Sequence, residues 1–123
     1  KFYYYNNCLY NEYNDILQFA RRWVMGRNRY DSFLFIRNIF NNSFDIIDNL
    51  IKEYFCTNKN KETIINNIII FYKLYNNSIV SLNHIQKTYS NDSKIISEIY
   101  ILKNKIQLKL NKILDINIIK NES

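Results

Sequence analysis

Proline is absent from this chain of 123 residues, and glycine occurs once, at Gly26. Sandwiches, barrels and phosphate-cradling loops need turn residues with unusual backbone angles, so the near absence of both excludes Gly-rich nucleotide sites and points to helices. Cysteine is scarce too. Cys8 and Cys56 form neither a metal-ligand spacing nor a disulfide framework, which fits a reducing setting. No apolar run reaches the roughly 20 residues that span a bilayer. Even the stretch from Ile64 to Tyr75 is broken by Asn66, Asn67 and Lys73. Histidine occurs only at His84, with no acid or nucleophile at helical spacing, and its neighbours Ser81 and Thr88 read as ordinary helix-surface contacts. Asp45 and Asp48 stand one turn apart on a face expected to be exposed, without a third ligand, so they make neither a metal site nor an acid/base pair. The expectation is a protein that is not an enzyme and binds no cofactor directly.

What remains is abundant in isoleucine, asparagine, lysine and tyrosine, as AT-rich coding would produce, with 47% hydrophobic residues, 16% aromatic residues and a net charge of +6. A chain of this length buries roughly two-thirds of its unfolded surface, enough for one domain, 1–123, without staples. Starting at Lys1 is compatible with a removed organellar presequence.

Apolar residues recur at three- and four-residue steps. Leu9, Tyr13, Ile16, Leu17, Ala20 and Trp23 predict a first helix over about 5–24, with Arg21 and Arg22 complementing the carbonyl end of its dipole. Asp31 or Ser32 is the expected cap of a second, whose stripe is Phe33, Ile36, Ile39 and Phe40. Asn41-Asn42-Ser43 offers a break, yet Phe44, Ile47, Ile51 and Tyr54 continue the stripe, so one long helix and two short ones are both open. After a polar loop over 57–61, a further helix has Ile65, Ile68, Ile69, Tyr72, Tyr75, Ile79 and Leu82 as its inner face. Asn91-Asp92-Ser93 caps the last, which turns Ile95, Ile99, Leu102, Ile106, Leu110 and Ile113 inward and Lys94, Lys103, Lys105, Lys109 and Lys112 mostly outward. The fold class is all-α: an up-and-down bundle with a three-helix core over 5–88 and one or two additional C-terminal helices, the last over 92–119.

All five arginines lie between Arg21 and Arg37, while twelve lysines are scattered from Lys1 to Lys120. Guanidinium is the group chosen where a planar fork must meet carboxylate or phosphate, so the cluster reads as a docking face for something acidic. Most tyrosines, among them Tyr13, Tyr54, Tyr72 and Tyr75, fall on apolar stripes and read as core; Tyr3-Tyr4-Tyr5 fits none and reads as an extension that packs on a partner.

As a unit, Tyr13 through Phe40 resembles the LYR-motif family of small mitochondrial helical proteins. Tyr13 takes the motif tyrosine, Leu17 the following leucine, Ala20 the small residue, Arg21 and Arg22 the basic pair and Trp23 the aromatic. Arg29 precedes the second helix, and Ile36, Arg37 and Phe40 match that helix's pattern. Glu12 stands in place of the motif leucine, Asn14 in place of its arginine, and Gln18 at a commonly basic position. The resemblance implies a noncatalytic adaptor or accessory subunit of the mitochondrial matrix. It would bind mitochondrial acyl carrier protein and anchor it to a larger assembly: a respiratory complex, the mitoribosome or the iron–sulfur assembly complex. By that likeness Tyr13, Asn14, Arg21, Arg22, Arg29 and Arg37 would meet the carrier and the phosphate of its 4′-phosphopantetheine arm. Ile16, Leu17, Ala20, Ile36, Ile39 and Phe40 would line a tunnel for the acyl chain on that arm. The competing expectation, from charge and aromatics alone, is a basic helical protein that binds RNA, free or in the mitoribosome, without the carrier.

Overall fold

The computed structural model describes residues 29–88 and 90–117, with side chains from Phe33 onward except those of 35 and 36. Three helices fill this span: α1, Arg29–Cys56; α2, Lys61–Thr88; and α3, Ser93–Asp115. Each packs on the other two. The expected helix over 5–24 lies outside the described residues.

Two residues at a time explain the connections. With glycine nearly absent, asparagine takes the left-handed positions: Asn60 at φ 58° turns the chain into α2, and Asn117 at φ 63° ends α3. Asparagine tolerates this conformation better than other side chains with a Cβ. The Asn60 carbonyl accepts from the Ile64 amide at 3.0 Å, and Thr57 Oγ1 accepts from the Lys59 amide at 3.1 Å, which closes the turn. Asp92 caps α3 as expected, its Oδ1 accepting from the Ile95 amide at 3.2 Å. Because the Ile116 and Asn117 amides fold back onto Ile113 and Leu114, α3 stops at Asp115, short of the expected 119.

The inward residues of α3 are the six expected ones, all buried. In α2 the centre of the buried face is rotated from the expected stripe. Ile64, Ile68, Phe71, Leu74, Tyr75, Leu82 and Ile85 are buried together with Ser78 and Ser81, while Ile65, Ile69, Tyr72 and Ile79 flank them half-buried. The reason is geometric. A helix covered by two neighbours buries a wide band, and small polar residues fall within it wherever the backbones approach.

The possible break at Asn41-Asn42-Ser43 is not used, and α1 runs through it. Ser43 is fully buried, donates to the Phe40 carbonyl at 2.7 Å and meets the Tyr75 hydroxyl of α2 at 2.9 Å. A serine whose hydroxyl is satisfied by its own helix and a neighbour no longer competes with the helix backbone. The same triple recurs at Asn76-Asn77-Ser78, where Ser78 donates to the Leu74 carbonyl at 2.7 Å, again inside a helix. Asp31 and Ser32, expected ahead of α1, lie within its first turn, and Arg29, expected to precede it, is already helical.

The C-terminal helix shares the core of the other two described helices. Ile95, Ile99, Ile106 and Ile113 are completely shielded and share one cluster with Phe33, Phe40 and Ile47 of α1 and Ile68 and Leu82 of α2.

Candidate functional site

Among the described residues three ion pairs tie α1 to α3. Arg37 Nη1 donates to Glu98 Oε2 at 2.8 Å near the start of both helices. Lys109 Nζ lies 2.8 Å from Asp48 Oδ2 further along, and Lys112 Nζ lies 3.3 Å from Asp48 Oδ1. Arg37–Glu98 and Asp48–Lys109 have the same sequence separation, 61, so α1 and α3 run parallel in fixed register. The two pairs also have opposite polarity. Reversing either helix would set Arg37 against Lys109 and Asp48 against Glu98.

Asp48 is half-buried, which alone pushes its carboxyl up, but hydrogen bonds and charge from Lys109 and Lys112 outweigh this and hold it below its ordinary value. The Asp45–Asp48 pair therefore divides: Asp45 is exposed, while Asp48 joins two helices instead of lying on an open face.

Arg37 is the described arginine whose side chain can be followed. Its side chain is about one-third exposed, Glu98 takes one terminal nitrogen, and the Nε–H is buried without a partner. A buried donor left unmet costs about 1–3 kcal/mol, so the guanidinium is held against that cost by packing and by its bond to Glu98. Ile39 is half-buried. Phe40, one residue on, faces the core, 2% exposed, with its ring centroid 6.3 Å from that of Tyr75. The two expected lining residues thus differ in exposure, Ile39 half-buried and Phe40 buried.

No protein-family model matches the chain, and no curated protein or solved structure matches it.

Tyr13, Asn14, Ile16, Leu17, Ala20, Arg21 and Arg22 lie outside the described residues, as do the side chains of Arg29 and Ile36 on α1. Among the described residues no group of His, Cys, Asp or Glu is placed to hold a metal ion. His84 is exposed, and its carbonyl accepts from the Thr88 hydroxyl at 3.0 Å; Ser81, expected at the surface, is buried. Tyr75 is wholly core, whereas Tyr54 and Tyr72 are half-buried, Tyr54 beneath the Lys61 ammonium at 4.7 Å. No helix among the described residues is long and apolar enough to cross a membrane.

Sequence reasoning missed Glu98 and Asp48 as partners of the basic residues. Their separations span the whole of α2, and no local pattern signals a contact at that distance.

Proposed function

We propose that the protein is a noncatalytic adaptor of the LYR-like kind. It binds an acyl carrier protein through the basic and apolar residues of 13–40 and attaches it to a larger mitochondrial assembly. The observation that carries this reading is the confinement of every arginine to 21–37, in register with the apolar and aromatic positions from Tyr13 to Phe40. Supporting it, α1 carries Arg29, Ile36, Arg37 and Phe40 on one unbroken helix, and the Arg37 side chain stays about one-third exposed while paired with Glu98. Electrostatic pairing of this kind orients a partner and speeds association.

The RNA-binding reading draws less support from the described lysines. Lys103 donates to Gln86 at 3.0 Å, and Lys109 and Lys112 are engaged with Asp48, so the ladder is partly consumed within the bundle.

Native mass spectrometry of the chain coexpressed with mitochondrial acyl carrier protein tests the proposal. A one-to-one complex is expected with a carrier bearing an acylated arm and none with a carrier whose attachment serine is replaced. No complex with either overturns it. Arg37→Glu alone also breaks the Glu98 bridge, so the informative variant is Arg37→Glu with Glu98→Arg. It preserves the internal pair and reverses the charge offered on α1. Loss of the carrier from this folded double variant is the expected result.

A further inference from the structure

The ion pairs between α1 and α3 are not built alike. Asp48 receives Lys109 on both carboxylate oxygens and Lys112 on one, whereas Glu98 accepts a single hydrogen bond, from Arg37 Nη1 at 2.8 Å. Arg37–Glu98 is the lightly held pair. It also stands at the surface, with side chains 34% and 20% exposed, and a partly exposed ion pair contributes little to stability. Parting it therefore costs little. Nor does the pair satisfy the guanidinium, because the Nε–H of Arg37 is buried without an acceptor. A carboxylate or phosphate that met Nε and one Nη together would form the two-bond fork that guanidinium makes best, and turning the group outward to such a partner would put that donor to use.

We infer that Glu98 is a specificity-determining residue of the docking face: it occupies Arg37 as an internal stand-in for the partner's acid, and docking exchanges one carboxylate for the other. The inference rests on the adaptor reading above, in which Arg37 meets an acidic surface of the acyl carrier protein. An acid that offers charge alone gains nothing by displacing another of equal charge. A partner gains only when it supplies the fork at Arg37 together with contacts to the rest of 13–40. Glu98 thus weakens association with acidic surfaces in general, and only a partner that fits makes up the loss. The exchange is reciprocal. Carrier docking releases Glu98, and release of Glu98 favours docking.

Fluorescence anisotropy of a labelled acylated carrier, titrated with the full chain, tests the exchange. Glu98→Gln keeps a side-chain oxygen that accepts from Arg37 and removes the competing charge. It is expected to bind the carrier roughly fivefold more tightly, the affinity equivalent of one partly exposed ion pair. A residue that only held α1 to α3 would give the opposite sign. Because losing any negative charge near the face strengthens attraction, the same change is made in Arg37→Gln, where the gain is expected to disappear. If the carrier binds the parent chain and Glu98→Gln binds it no better, or gains equally with and without Arg37, the inference falls and the adaptor reading stands. Binding by Glu98→Gln with none by the parent chain supports the inference. Binding by neither overturns both.

Discussion

Asp48 carries more of the architecture than an aspartate on a surface helix usually does, because it faces two ammonium groups from another helix. Its folded-state pKa is lowered, so its contribution is complete above the ordinary carboxylate range and is lost as pH falls through the lowered value. Asp48→Asn should therefore reduce stability at pH 7 and converge with the parent protein well below pH ~4. The side chain is 37% exposed, and solvent screening limits the loss to about 1 kcal/mol, measurable by urea unfolding at both pH values. Tyr75→Phe removes the phenol that meets Ser43 but leaves the Ser43 bond to the Phe40 carbonyl. A cost of about 1 kcal/mol at all pH values is expected for that single lost bond. The contrast in pH dependence separates an ionic contact from a neutral one.

In α3, sequence pattern and structure agree most closely. Its apolar residues recur without interruption, its cap is an Asp followed by helix, and its buried set is the periodic set. Ile106→Ala should cost 2–5 kcal/mol by the usual range for a buried large-to-small change, since Ile106 is completely shielded. Leu108→Ala, two residues on and mostly exposed, should stay within about 0.5 kcal/mol. Asp92→Ala should lose about 1 kcal/mol with its cap. Thermal unfolding of the three variants ranks them, and a Leu108→Ala loss as large as that of Ile106→Ala would contradict the assigned orientation of α3. In α1 and α2 the pattern was legible only in part. Asn41-Asn42-Ser43 left one long helix and two short ones both open because such residues are usually solvated at loops, and the long helix holds with Ser43 buried, as Ser78 is in the second such triple.

Across the three helices, the two oppositely polarised pairs specify one parallel arrangement of α1 and α3. Glu98→Lys with Lys109→Glu turns both into like-charge contacts and should destabilise by roughly 2 kcal/mol, taking about 1 kcal/mol per partly exposed pair. Adding Arg37→Glu, Asp48→Lys and Lys112→Glu should recover most of the loss, Lys112 being exchanged as well because it meets the same carboxylate. A double-mutant cycle read by denaturant unfolding checks this, and failure of the second exchange to restore stability would show that the pairs do not set the register.

Helix content, the cap at Asp92, the inward face of α3 and the clustering of arginine follow from composition and spacing, because each depends on residues within a turn or two of one another. Tertiary packing decided the rest. It kept α1 whole, rotated the buried face of α2, set α3 against both and paired Arg37 with Glu98. Those outcomes depend on which surfaces meet across separations of 30 to 60 residues and on where a buried hydroxyl or charge finds its partner. Local periodicity carries no information about either.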